Sequence, residues 1–459
     1  MYHIDFDKPV NIHFIGIGGI SMSGLAEILL ARGFKVSGSD NKESELTKEL
    51  SDKGATVFYG QRADNITDGI DVVVYTAAIR KDNPEYEEVI KRGIPMLTRA
   101  ELLGQLMRNY EIPIAISGTH GKTTTTSMTS MVFMNAELDP TISVGGILKE
   151  IGGNIRIGES GYFVTEACEY TNSFLSFFPK IGIILNIEED HLDFFKDLDD
   201  IYASFRKFAE LLPEDGTLVI NHDISDLGKI TDGLKCRVVT FSLSDSTADY
   251  YAQDVTFNEL GCAKFTAVGK NGSNEYELKV PGDHNIINAL ATIALSECVG
   301  IGYENIRSGL NDFAGTDRRF QLKGKLGGVT IVDDYAHHPT EIAATLKAAR
   351  KYPADRVICV FQPHTYTRTK AFFHEFADSL CLADMVVLAD IYAAREKDTL
   401  GISSEDLMEE IRDKGTECYY FPSFDEIENF LLQNCIHGDL LITMGAGDIV
   451  KVGESLLGE

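Results

Sequence analysis

The chain has 459 residues, 44% hydrophobic and 24% charged; this is ordinary globular composition, and more chain than one core usually organises, so two or three domains are expected. Against 42 basic residues stand 70 acidic ones, a net charge of −28, which speaks against a general binder of nucleic acid or anionic membrane. With no run of about 18 apolar residues, and an N-terminus, MYHIDFDKPV, lacking the basic and apolar regions of a signal peptide, the expectation is a cytoplasmic protein with no membrane partner.

The eight cysteines, at 168, 236, 262, 298, 359, 381, 418 and 435, have no C-x-x-C spacing, so free thiols are expected. Strand and helix patterns alternate in three blocks, without an internal repeat. The first block runs from the strand NIHFIGIG through the helix SMSGLAEILLARG, the strands FKVSGSD and DVVVYTAA, and a helix around TRAELLGQLM. A second opens at EIPIAISG, where Pro113 punctuates the chain, and the GTDRRF segment at 315–320 separates the helical NIINALATIALSECVG from the renewed strand VTIVDDY. Three α/β units are predicted, at 1–109, 110–316 and 317–459.

In GIGGISMSG, Gly16, Gly18 and Gly19 lie between a strand and a helix, and Asp40 closes the next strand. That is dinucleotide-fold geometry, in which glycines admit close backbone approach and a helix N-terminus stabilises a diphosphate. The third fingerprint glycine is replaced by Ser21, so a plain βα turn stays open as the alternative.

The second block carries SGTHGKTTTT at 117–126, a phosphate-loop pattern with Ile116 where the full Walker motif has its first glycine. It follows an apolar strand and leads into a helix. Lys122 would offset β/γ-phosphate charge, Thr123 would ligate Mg²⁺, and Gly118 and Gly121 would leave the intervening amides open to anions; a chance helix cap is the alternative. The strand GYFVTE ends in Glu166, placed to hold Mg²⁺ beside Thr123 or simply to open a polar loop. His191 follows the apolar IGIILN, and His284 and Asn285 begin a helix as expected caps.

In the third block Asp334, Tyr335, His337 and His338 crowd a strand-to-helix turn, with Pro339 in the first helical turn and one of the histidines expected as its cap. The strand RVICVFQ places His364 and Arg368 at the equivalent edge, where a guanidinium fork suits a carboxylate. In LITMGAGD a tight turn is expected, with Asp448 opening a helix.

GIGGISMSG, GTHGKTTT, DDYAHHPTEI and FQPHTYTRT occur in that order, and the chain resembles the Mur ligase family over essentially its whole length. The resemblance implies a Rossmann-like N-terminal domain, a P-loop ATPase central domain and a Rossmann-like C-terminal domain. It implies ATP and Mg²⁺, with UDP-N-acetylmuramate and L-alanine as substrates, an acyl-phosphate intermediate, and a monomer or weak homodimer. The UDP-sugar would lie on Gly16, Gly18, Gly19 and Ser21, with Asp40 toward the nucleoside.

ATP would meet Gly118, Thr119, His120, Gly121, Lys122, Thr123, Thr124, Asn288 near adenine, Arg319 and Asp334, with Arg318 an ordinary surface cation. Thr123, Glu166 and His191 would hold metal; Lys122, Glu166, His191 and His338 would serve catalysis; and Tyr335, His337, His364 and Arg368 would face the amino acid. Cys168 stands where many members carry an acid, and Lys207 is not in register with the carbamylated lysine of sister ligases. The rivals are a murein-peptide ligase, a folate polyglutamylating enzyme, an NAD-dependent oxidoreductase and a nucleotide switch.

Overall fold

The structure, a computed structural model, describes every residue except Met1, Ala77 and Arg395. Three sheets organise it. The first is wholly parallel, from β1 (Asn11–Ile15), β2 (Lys35–Asp40), β3 (Thr56–Tyr59), β4 (Val72–Tyr75) and β5 (Met96–Thr98), in the order β3-β2-β1-β4-β5. The order reverses at β1, so the glycine loop after Ile15 sits at the switch point where open α/β sheets bind ligands.

The second sheet has ten strands: β6 (Ile112–Ser117), β7 (Thr141–Leu148), β8 (Gly153–Arg156), β9 (Tyr162–Glu166), β10 (Ile181–Ile184), β11 (Thr217–Asn221), β12 (Arg237–Ser242), β13 (Tyr250–Phe257), β14 (Cys262–Gly269) and β15 (Gly272–Pro281). Buried β6 lies between parallel β9 and β10. The carboxyl ends of these three strands therefore deliver the phosphate loop, the Glu166–Glu169 segment and the 185–191 segment to one place. The antiparallel run β13-β14-β15 is a departure from the expected α/β alternation: its strands carry polar residues on their exposed faces, a pattern that strand–helix counting passes over.

The third sheet comprises β16 (Gln321–Leu326), β17 (Val329–Asp334), β18 (Val357–Phe361), β19 (Met385–Leu388), β20 (Glu417–Tyr420) and β21 (Leu440–Met444), in the order β16-β17-β21-β18-β19-β20, with only β16 antiparallel. The central strands β18, β19 and β21 are largely or wholly apolar runs, as strands buried on both faces require.

The cores divide unequally. One continuous cluster joins Phe14, Leu25 and Leu106 of the first sheet's layers to Phe163, Phe174 and Phe205 of the second. The third sheet keeps its own clusters, around Phe361 and Leu388 on one side and Ile358 and Val387 on the other. What meets the third sheet's unit from the centre is mostly polar. Among the described residues no helix is long and apolar enough to cross a membrane.

Candidate active site

The phosphate loop leaves β6 and enters the helix Lys122–Asn135 through Gly121, at φ +84°. A Cβ there would lie 2.6 Å from Asn288 Oδ1, so both left-handed backbone and close approach demand glycine. Asn288 in turn donates to Asn285 Oδ1 at 3.1 Å, and Asn285 donates to the Pro281 carbonyl at 2.7 Å. The helix Asp283–Cys298 begins at Gly282 with no side-chain cap, so His284 and Asn285 do not cap it as expected. Asn285 ties the helix back to the preceding strand instead.

The amides between Gly118 and Gly121, expected to be open, are taken: Thr119 N donates to Asn186 O at 3.2 Å and His120 N to Asn186 Oδ1 at 2.7 Å. Anion-binding capacity falls instead to the first turn of the helix, which has no acidic residue and no side-chain cap.

Lys122 turns toward a buried carboxylate, with Nζ donating to Glu169 Oε2 at 2.9 Å and to Thr119 O at 3.1 Å. Burial alone would lower its pKa, but Glu169 outweighs burial and holds it above the usual lysine value. Glu166 is raised, first by burial, against bonds from Gly145 N and Thr123 that favour the anion. Cys168 is pushed up to about 11 by burial and then by Glu169, so the thiol is protonated near pH 7. The acid in this loop is Glu169, whose carboxylate also lies 3.7 Å from His191 Nε2. His191 sits at φ +52° and stacks on Tyr170 at 4.4 Å.

Two cavities meet this centre. One, about 460 Å³, runs between the second and third sheets' units and is lined by His120, Thr124, Asn288, Arg319, Asp334 and Glu341 among others. Asp334, pushed up to about 6 by burial, accepts from Ala336 N at 2.7 Å and Phe320 N at 2.8 Å. The other, about 280 Å³, is lined by Asp190, His191, Tyr335, His337, His364 and Arg368. Burial lowers His337 and His364 to about 4, so both are neutral near pH 7.

Charged groups close the seam between the units. Arg368 donates to Asp190 Oδ1 from Nη2 at 2.8 Å and from Nε at 3.1 Å, so its fork, expected for an alanine carboxylate, is taken by an aspartate. His338 caps the helix Pro339–Ala349 by accepting from Thr340 N at 3.3 Å, and Nε2 meets the Glu189 carbonyl at 2.9 Å. With both ring nitrogens engaged, His338 is a cap and clasp rather than a free acid or base.

Arg318, expected on the surface, is anchored: it pairs with buried Asp333 at 2.9 Å and donates to the carbonyls of Gly445 and Gly447. Arg319 is left to reach the cavity, 3.7 Å from Glu341 Oε1.

In the first unit Gly16 is at φ +86°, Gly19 precedes the uncapped helix Ile20–Ala31, and Ser21 is exposed in its first turn. Gly18 N donates to Asp40 Oδ2 at 2.9 Å. Asp40 braces the loop here.

Asn186, Glu188, Glu169, Asp190 and Glu341 escaped the sequence reading as site residues. Each lies in a segment whose neighbours were singled out, but nothing beside it in the chain sets it apart from the other polar residues there.

Family models match in three consecutive stretches: "Mur ligase family, catalytic domain" over 11–111, "Mur ligase middle domain" over 116–296 and "Mur ligase, glutamate ligase domain" over 318–447. The chain is 61% identical over 459 residues to the UDP-N-acetylmuramate–L-alanine ligase of Agathobacter rectalis, covering 100% of both chains. It is 59% identical over 458 residues to the ligase of the same name from Lachnospira eligens, again covering 100% of both. Among solved structures it resembles the UDP-N-acetylmuramate–alanine ligase of Thermotoga maritima, with TM-score 0.80, 29% identity and 98% of each chain covered. A murein peptide ligase from Psychrobacter arcticus shares the fold, with TM-score 0.71, 24% identity and 98% of each chain covered. The chain belongs to the Mur ligase family.

Proposed function

We propose that the chain is an ATP-dependent amide-forming ligase that joins L-alanine to UDP-N-acetylmuramate, with release of ADP and phosphate, in peptidoglycan precursor synthesis. Supporting the reading is one observation above the rest: the phosphate loop lines one cavity and the Tyr335–Arg368 edge another, in a chain that aligns end to end with relatives named for this reaction. Units at 1–109, 110–316 and 317–459 divide the work into UDP-sugar, ATP and amino-acid sides, in a cytoplasmic monomer or weak homodimer.

The muramyl carboxylate oxygen attacks the γ-phosphorus of ATP, the bond to the β-phosphate oxygen breaks, and an acyl phosphate forms with ADP as leaving group. Lys122 leaves Glu169 for the phosphate oxygens, and Arg319 supplies a second cation from the seam. The uncharged amine of alanine then attacks the acyl carbon, phosphate departs, and the ammonium proton is lost to form the amide. Neutral His337 and His364 line the second cavity and do not repel the amine.

The half-buried Glu166 carboxylate and the Thr123 hydroxyl beside it form an oxygen donor set suited to Mg²⁺, with Glu169 and His191 adjoining. When bound, the ion supplies charge neutralisation at the phosphates. Asn288 and the first cavity serve the nucleoside, and Gly16, Gly18, Gly19 and Ser21 the diphosphate of the sugar nucleotide.

The test is phosphate release from ATP and Mg²⁺ with UDP-N-acetylmuramate plus L-alanine, and with either omitted. Release only when both are present, with L-alanine preferred, is the expected result. Preference for a tripeptide points to a murein-peptide ligase, and release without either substrate overturns the ligase reading.

A further inference from the structure

His120 has no part in the phosphoryl transfer derived for Lys122, Thr123 and Glu166, yet its ring lies between two carboxylates at the mouth of the larger cavity. Nδ1 is 3.3 Å from Glu341 Oε1 and Nε2 is 3.4 Å from Glu188 Oε2. Glu188 follows β10 and belongs, like His120, to the central unit; Glu341 comes from the helix Pro339–Ala349 across the seam.

The Glu341 carboxylate gathers more than His120. Oε1 is 3.7 Å from Arg319 Nη1, and Oε2 accepts the amide of His337 at 3.1 Å. One acid, its side chain only 12% exposed, thus joins the phosphate loop, the arginine of the 315–320 segment and the turn facing the amino acid. Glu188 is held in turn by Thr340 Oγ1, at 2.7 Å, also from across the seam. His120, Glu188 and His338 have ligand atoms within 4.8 Å of one another, but His338 already uses both ring nitrogens, so the cluster is a charge clasp rather than a metal site.

We propose that Glu341 is a positioning residue for phosphoryl transfer: docking of the C-terminal unit brings its carboxylate onto His120 and Arg319, fixing the phosphate loop and the arginine together in the closed enzyme. Because the pair spans the seam, the contact exists only when the units are closed. His120, raised to about 9 because the two carboxylates outweigh its burial, is an imidazolium at neutral pH, as such a contact requires. The proposal rests on the larger cavity being the ATP site.

Full-length Glu341→Gln, His120→Asn and the double variant would be compared with wild type by steady-state phosphate release and thermal melting. Each single change is expected to lower kcat about tenfold or more, with the KM for UDP-N-acetylmuramate within about twofold. The double variant should fall no more than about threefold below the worse single one, since both break the same contact. If the two losses multiply, or if Glu341→Gln turns over like wild type, the proposal is overturned. Should Glu341→Gln fail to fold, His120→Asn alone decides: wild-type kcat overturns the proposal, and a tenfold loss at an unchanged melting temperature supports it. Lys122→Ala, run alongside, separates the two readings. If it retains turnover the ATP assignment fails, whereas an inactive Lys122→Ala beside a fully active Glu341→Gln removes only the clasp.

Discussion

Removing the charge of Asp190 isolates what the seam contributes. Asp190 and Arg368 have side chains only 7% and 10% exposed, and two guanidinium nitrogens converge on one carboxylate oxygen. Breaking such a buried pair from one side costs about 3–5 kcal/mol, because the remaining charge is stranded. Here the partners sit on different units, so separation of the units lets water reach Arg368 and relieves most of the cost. The penalty therefore weighs on closure more than on folding, and at about 1.4 kcal/mol per factor of ten even 3 kcal/mol amounts to roughly a hundredfold shift toward the open form.

Asn also suits the local geometry, since its amide oxygen can still accept the His191 amide that Asp190 now accepts at 2.7 Å. Asp190→Asn should lower kcat by about 30- to 100-fold. Small-angle scattering with UDP-N-acetylmuramate and a non-hydrolysable ATP analogue should report an open particle where wild type closes, at a nearly unchanged melting temperature. Burial raises the Asp190 pKa, but Arg368, followed by the neighbouring histidines, outweighs it and holds the carboxyl well below the usual range. With its folded pKa depressed, the pair's contribution is present above about pH 4 and lost as pH falls through the folded value, so the variant's defect should not change between pH 6 and 8. A kcat within threefold of wild type, or closure equal to wild type's, would refute the reasoning.

Three other outcomes are expected. Lys122→Ala should abolish phosphate release while leaving UDP-sugar binding by calorimetry within about threefold, and adding Glu169→Gln should recover melting temperature by removing a stranded buried carboxylate. Gly18→Ala would put a Cβ 2.8 Å from both Asp40 Oδ2 and Thr47 Cγ2; initial rates should show the KM for the UDP-sugar raised about tenfold or more, with the KM for ATP unchanged. His120, raised to about 9, faces Glu188, Glu341 and the His338 ring. Its stabilisation is full below about pH 6.5 and fades as pH rises through 9, so the melting temperature should decline over that window in wild type and not in His120→Asn.

How much of this was legible in the sequence follows from the range of the forces involved. The helix Lys122–Asn135 and the strands before Gly16, Gly118 and Tyr335 rest on local patterns, apolar runs of strand length ending at glycine or at polar turns, and they stand where the sequence places them. The run β13-β14-β15 was missed because a hairpin layer with one wet face has neither the continuous apolar strands of a parallel sheet nor a helix between them.

The site shows the same division more sharply. Residues that recognise through backbone shape or one dominant charge, such as Gly121 and Lys122, carry their purpose in their immediate neighbours. The carboxylates do not: Glu169 answers Lys122 across 47 positions, Asp190 answers Arg368 across 178, and Glu341 answers His120 across 221. Nothing near any of them in the chain distinguishes it from the surface acids that make up most of the chain's 70 aspartates and glutamates. The excess of acid hides the few that matter, and burial distinguishes them, because a carboxylate leaves water only where a cation compensates it. In so acidic a chain the cations at the centre are held by protein carboxylates, Lys122 by Glu169 and Arg368 by Asp190. On the proposed mechanism Lys122 exchanges Glu169 for the γ-phosphate, so substitutions at Glu169 should act first through the ATP dependence of the rate rather than through the stability of the fold.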